Sequence, residues 1–212
     1  MRSGADSGGS RMLRRRVAEL RRDVIIDAAI DVFRKKGLKG STMSDVASAA
    51  GVSTGTLYNY FDNKATLILA ILHRLNETET RPTSLAPDAD GHFEDVFAAQ
   101  LEHRFSVMTQ QLGVFPALFA EILTTPALRK RYLKEIVEPN FALARPRFAA
   151  LLSSAKLRAV DADAAIRIIS ATVMGLLLLH AIGDPATRAR WDRLPKSVAD
   201  ILMHGLLPEG KR

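Results

Sequence analysis

Apolar residues recur at three- and four-residue intervals along this chain, and from His92 onward no stretch alternates with the two-residue rhythm of a strand. The pattern predicts an all-α protein. Leu13, Val17, Leu20, Val24, Ala28 and Val32 mark a first helix that starts well before Asp23, runs to Lys36 and stops at Gly37. Residues 1–10, rich in Gly and Ser, are expected to be disordered. Between Thr42 and Lys64 the spacing fits two short helices around a glycine. Residues 65 to about 80 form a strongly apolar helix, with Leu67, Ile68, Ile71, Leu72 and Leu75, and residues 81–91, with two prolines and a glycine, read as a loop. Further helices are expected over 92–111, 115–123, 126–154, 161–182 and 195–206, with a kink or break where Pro139 and Pro146 lie and a stop at Gly183-Asp184-Pro185.

The stretch from Thr42 to Lys64 carries the most specific information. Thr42 can cap the first short helix while Asp45, three residues on, reaches back to it. Gly51 suits the left-handed turn that ends it, and Ser53 can cap the next. Helix, glycine turn, helix is the pattern of a DNA-binding helix-turn-helix. At about 100° per residue, Leu57 and Phe61 share one side of the second helix, while Gly55 and Asn59 lie opposite and Thr56, Tyr58 and Tyr60 flank them. A face made only for solubility would carry Lys and Glu, and this one has neither. Asn59 and Ser44 suit base edges, and the Tyr hydroxyls suit phosphates on either side. Candidate DNA contacts are Thr42, Ser44, Ser53, Thr54, Gly55, Thr56, Tyr58, Asn59, Tyr60 and Lys64, the last with its ammonium near a phosphate at a helix start.

These same residues, Thr42-Met43-x-Asp45-Val46-Ala47, Ala50-Gly51-Val52-Ser53-x-Gly55-Thr56-Leu57-Tyr58-x-Tyr60-Phe61 and Lys64, resemble the helix-turn-helix signature of the TetR (tetracycline repressor) family. The resemblance covers about the first third of the chain. Ala65 stands where an acidic residue often follows the lysine, and Asn63 replaces the usual small cap. It implies a DNA-binding domain over residues 23–64, preceded by a basic extension over 1–22 and followed by a helical effector-binding and dimerisation domain over 65–212. It also implies that the last two long helices pair with their copies as a four-helix bundle. Gly175, Leu176, Leu177, Leu179, Val198, Ile201 and Leu202 are the expected interface. Leu176 to Leu179 leave that helix no polar side, which independently calls for cover around most of its circumference. The apolar run from Ile168 to Ile182 falls short of the ~20 residues of a membrane span. A homodimer would set two reading heads about 34 Å apart on a pseudo-palindromic operator in double-stranded DNA.

Charge and composition narrow the picture. The net charge of +7 suggests an anionic partner, and much of the excess sits in Arg11, Arg14, Arg15, Arg16, Arg21 and Arg22. That basic stretch either follows the DNA or is a solvated helix extension. The chain has no cysteine, which rules out disulfides and thiolate metal sites and fits a cytoplasmic protein. The five histidines show no ligand spacing, and no nucleophile elbow, P-loop or dinucleotide fingerprint occurs, so neither an enzyme nor a cofactor or metal is expected. Phe97, Leu101, Phe105, Met108, Phe115, Phe119, Phe141, Met174 and Leu178 are either plain core or the wall of an effector pocket. The resemblance favours a pocket, and its apolar make-up favours a small hydrophobic or aromatic effector. Trp191 is read as a surface anchor before the last helix. The leading expectation is a dimeric, ligand-responsive repressor that touches no membrane; a non-specific DNA-coating protein is the alternative.

Overall fold

The computed structural model describes residues 6–76, 93–109, 112–153 and 161–206. Eleven α-helices are found among them: α1 (Asp6–Lys36), α2 (Met43–Ala49), α3 (Thr54–Tyr58), α4 (Lys64–Leu75), α5 (Phe93–Thr109), α6 (Phe115–Thr124), α7 (Pro126–Tyr132), α8 (Glu138–Ser153), α9 (Ala162–Ala181), α10 (Pro185–Ala189) and α11 (Leu194–Leu206). No strand occurs among the described residues. The expected loop at 81–91 lies outside them. The chain divides into two compact units, the first ending at Leu72 and the second beginning at His73.

In the first unit α1 packs on α2, and α2 on α3. Ile25, Ile26, Ala29 and Phe33 of α1 are almost fully buried with Val46, Leu57, Phe61, Leu67 and Ile71. Each large side chain among them contributes about 1.5–3 kcal/mol by leaving water. Helix α1 begins earlier than composition suggests. Residues 6–10, expected to be disordered, are helical. The Leu, Arg, Ala and Glu residues that follow are strong helix formers, so a turn begun there propagates backward even through Gly8 and Gly9.

In the second unit α5 packs on α11, and α9 meets α6, α8 and α10. Leu101, Phe105, Met108, Leu118, Ile122, Leu128, Ile136, Ile166, Val173 and Leu177 are buried. The segment expected to kink or break at its prolines over 126–154 is α7 and α8 joined by a π-helical stretch, Leu133–Val137, ahead of Pro139, and α8 continues through Pro146. Proline lacks the N–H that would bond four residues back, so the widened turn just ahead of Pro139 accommodates its ring without breaking the rod. Gly183, at φ 92°, stops α9, and Asp184 then starts the unexpected helix α10 by accepting the Thr187 N–H at 2.7 Å, with Pro185 at the first helical position.

Trp191 is core rather than surface anchor. It is 9% exposed, its indole N–H donates to Thr109 Oγ1 at 2.7 Å, and its ring lies 4.9 Å from Phe105 and 4.2 Å from His180. Sequence context points the other way, because Arg188, Arg190 and Arg193 around it are exposed while the indole turns inward.

Helix α9 has 20 residues, so it is long and apolar enough to cross a membrane, contrary to the shorter estimate from Ile168 to Ile182. It is amphipathic in another sense: one apolar side is buried and the other is not. Val173 and Leu177 face the core, whereas Ile168, Leu178, Leu179 and Ile182 are 57%, 43%, 42% and 70% exposed. Leu178 therefore belongs to the outer stripe and not to a pocket wall. Leu177 and Val198, expected at a dimer interface, are inside the protomer at 1% and 6% exposure. The seven-residue expectation treated all sides of α9 and α11 alike, which only the packing of α6, α8 and α5 resolves.

Candidate nucleic-acid interface

The end of α1, the two short helices and the start of α4 are held by local bonds that the residue types dictate. Thr42 Oγ1 accepts the Asp45 N–H at 3.1 Å, and Asp45 Oδ2 accepts the Thr42 N–H at 2.8 Å, which closes a reciprocal cap on α2. Lys36, from the last turn of α1, donates to Asp45 Oδ1 at 2.6 Å. The Lys36 ammonium and the Thr42 hydroxyl and amide hold the Asp45 carboxyl down to about 2 from 3.8. A depressed carboxylate stabilises the fold above its unfolded value and stops doing so as pH falls through its folded one. Acid loss of the first unit between pH 3.8 and about 2 should therefore flatten in Asp45→Asn, as read by circular dichroism across that range.

Gly51, at φ 66°, turns the chain between α2 and α3. Ser53 then caps α3, its Oγ accepting the Thr56 N–H at 3.0 Å and lying 2.8 Å from Thr56 Oγ1. Helix α3 itself has five residues, although Phe61 N–H still bonds Leu57 C=O at 3.0 Å, so Asn59 and Phe61 keep a near-helical azimuth. Leu57 and Phe61 are 0% and 1% exposed and fix the inner side. On the outer side Ser44, Thr54, Gly55, Tyr58 and Asn59 are exposed. Among the described residues no hydrogen bond holds the side chains of Ser44, Thr54, Tyr58 and Asn59. Thr42, Ser53 and Thr56 differ, since their hydroxyls already serve the caps. Tyr60 is half-buried.

Gly55 has a telling environment. A Cβ built there would meet only Ser53 Oγ at 3.9 Å, and no positive φ demands a glycine. The fold does not need it, which leaves close approach of an outside surface as its use. Gly55→Ala should raise stability by about 0.4–1 kcal/mol through the unfolded chain and at the same time weaken DNA binding. Paired denaturant melts and mobility shifts would read both; weaker binding without added stability would count against the explanation.

Lys64 is placed differently from the sequence expectation. Its ammonium donates to the carbonyls of Leu38 and Ser41, the second at 2.8 Å, and lies 5.6 Å from the centre of the Phe33 ring. Those carbonyls belong to the turn after α1, which the sequence alone could not bring beside residue 64. Asn63 caps α4 as expected, its Oδ1 accepting the Thr66 N–H at 2.9 Å. Arg22, which the sequence places only in the basic stretch, has its guanidinium 5.5 Å from the Phe61 ring centre.

A small all-helical unit whose second short helix turns an uncharged polar side outward is a helix-turn-helix DNA-binding domain. Residues 25–71 match the model of the bacterial regulatory proteins, tetR family. The first unit thus carries the helix-turn-helix domain of the tetR family of bacterial regulatory proteins. It is 44% identical over 61 residues to the transcriptional regulator TtgR of Pseudomonas putida, a match spanning 29% of this chain and 29% of TtgR. A longer match, 27% identical over 197 residues, joins 87% of this chain to 94% of the regulator BetI of Paraburkholderia phymatum. The fold resembles Salmonella enterica GusR with a TM-score of 0.70 at 25% identity, over 88% of this chain and 95% of that one. It also resembles SmeT in complex with triclosan, with a TM-score of 0.65 at 24% identity, over 90% and 93% of the two chains. TtgR and BetI are regulators of transcription rather than enzymes.

Proposed function

We propose that this chain is a homodimeric, sequence-specific repressor of transcription that a small, mainly apolar effector releases from a pseudo-palindromic operator. The observation that carries the DNA-binding part is the outer side of α3, where Gly55, Tyr58 and Asn59 are presented by a rigidly capped turn. Asn59 offers donor and acceptor to an adenine edge, and Tyr58, 47% exposed, offers its hydroxyl to a phosphate. The dimer is supported by the uncovered apolar stripe of α9 together with Ile201 of α11, 70% exposed. Gly175 lies on that stripe with nothing within 4 Å of a Cβ built on it, so a second helix could approach closely.

For the effector, Phe97, Leu101, Phe105, Met108 and Phe115 are buried together in the second unit, while Phe119, Phe141 and Met174 are half-buried around it. Asn140 is 7% exposed, and among the described residues its Oδ1 has no hydrogen-bond partner although its Nδ2 donates to Ile136 C=O at 2.7 Å. His180 Nδ1 is likewise buried without a partner, and burial together with nearby Arg188 lowers its pKa, favouring a neutral ring. Two unsatisfied atoms within an apolar unit suit a compact aromatic ligand with one or two polar groups. SmeT, of similar fold, has been solved with triclosan and is the repressor of a multidrug efflux pump.

Enrichment of random duplexes by the purified protein tests the proposal. A palindromic motif is expected. Asn59→Ala should change the preferred base at one position of each half-site, whereas Tyr58→Phe should weaken all sequences alike. Enrichment of no motif would leave only non-specific coating.

A further inference from the structure

The α1 helix extends far beyond the family-matched residues, which begin at Ile25. Residues 6–22 form a helical arm about 25 Å long, continuous with the part of α1 that is packed into the first unit. Its sidedness follows from that continuity. At about 100° per residue, Ile25, Ile26, Ala29 and Phe33 define the side of α1 that is buried in the helix-turn-helix unit, at 0–2% exposure. Stepping toward the N-terminus by three and four residues, the same row reads Arg22, Ala18, Arg15 and Arg11. Where the row leaves the core it changes from apolar to basic. Arg22 marks the changeover, because its guanidinium lies over Phe61, just beyond α3.

The opposite side of the arm is different. Leu13, Val17, Leu20 and Val24, at 66%, 42%, 61% and 52% exposure, gather there within roughly 60° of arc. A helix extension selected only for solubility would spread its charge over that outer side and leave the inner row indifferent. Here the arginines of the inner row sit on the side of α1 that carries α2 and α3. Arg15 is ion-paired with Glu19 at 3.0 Å, but with 83% and 60% of the two side chains exposed the pair is readily exchanged for a phosphate. Guanidinium groups suit that role, since their fork matches two phosphate oxygens at once.

We propose that the arm is a second DNA-binding element, in which Arg11 and Arg15 hold phosphates flanking each half-site while α3 reads its bases. The inference rests on the DNA-binding reading given above and adds a footprint to it. The arm contributes affinity and salt dependence but no base preference.

The full-length protein and its enriched operator supply the test. For the double variant Arg11→Gln, Arg15→Gln, the motif and the melting temperature should be unchanged. The slope of log affinity against log salt should fall by about two per half-site, so that the affinity lost between 50 and 200 mM salt shrinks roughly tenfold per half-site. Backbone protection should retreat toward the half-site, and operators trimmed of flanking base pairs should no longer distinguish variant from wild type. Arg16→Gln, on the other side of the helix, should keep the wild-type slope. An unchanged slope and footprint in the double variant would overturn the proposal, as would an equal loss in Arg16→Gln, which would mean diffuse charge rather than an aligned row. A wild-type protein that enriches no motif would instead sink the underlying reading and leave no operator on which to ask the question.

Discussion

Lys64→Met is expected to destabilise the first unit by about 2–3 kcal/mol, a fall of roughly 5–10 °C in melting temperature for a chain of this size. The lysine ammonium is half-buried and donates to Leu38 and Ser41 carbonyls over the face of Phe33. Methionine fills a similar volume but donates nothing, so two carbonyls of the turn after α1 each lose the lysine as a donor. Ser41 is itself buried, and its Oγ at 2.9 Å and its N–H at 3.4 Å are then the donors left to Leu38 C=O, a carbonyl that had three. The turn that should loosen is the one leading into Thr42, whose cap sets where α2 begins. DNA affinity should fall with it, yet the salt slope should hardly change, because the lost charge is spent on carbonyls inside the domain. A variant of wild-type stability whose salt slope drops by about one per half-site would return Lys64 to the phosphate contact that sequence suggests.

The same residue shows where sequence reasoning stops. Caps are local: Thr42 with Asp45, Ser53 with Thr56 and Asn63 with Thr66 are each three residues apart, and all three are legible before any fold is known. The split of α3 into Leu57 and Phe61 on one side and Gly55 and Asn59 on the other is equally local, being a matter of helical period. Lys64 with Leu38 spans 26 residues and Trp191 with Thr109 spans 82, and neither pairing has a signature in the spacing. Near a helix start a lysine looks like an anion binder, and among arginines a tryptophan looks like a surface residue; in both cases the tertiary partner decides. Helix α9 fails for a different reason. Its composition is apolar all round, so period alone cannot say which leucine faces its own core and which faces outward.

That ambiguity yields the sharpest test of the proposed dimer. Leu177→Lys and Leu179→Lys place the same charge two residues apart on one helix and should fail in different ways. Leu177 is 1% exposed, so a lysine there must bury an ammonium without a partner or unpack the second unit. Its expected cost exceeds about 4 kcal/mol, and the variant should lose cooperative melting. Leu179 is 42% exposed beside Leu178, Ile182 and Ile168, and a lysine there can keep its head in water without disturbing the protomer. In a dimer closed through this stripe, two-fold symmetry brings the added charge against its copy or against the partner's apolar side. Leu179→Lys should therefore elute as a folded monomer and bind a full palindrome no more tightly than a half-site, because the second reading head is no longer tethered. A Leu179→Lys variant that stays dimeric and keeps its operator affinity would move the interface off this face of α9.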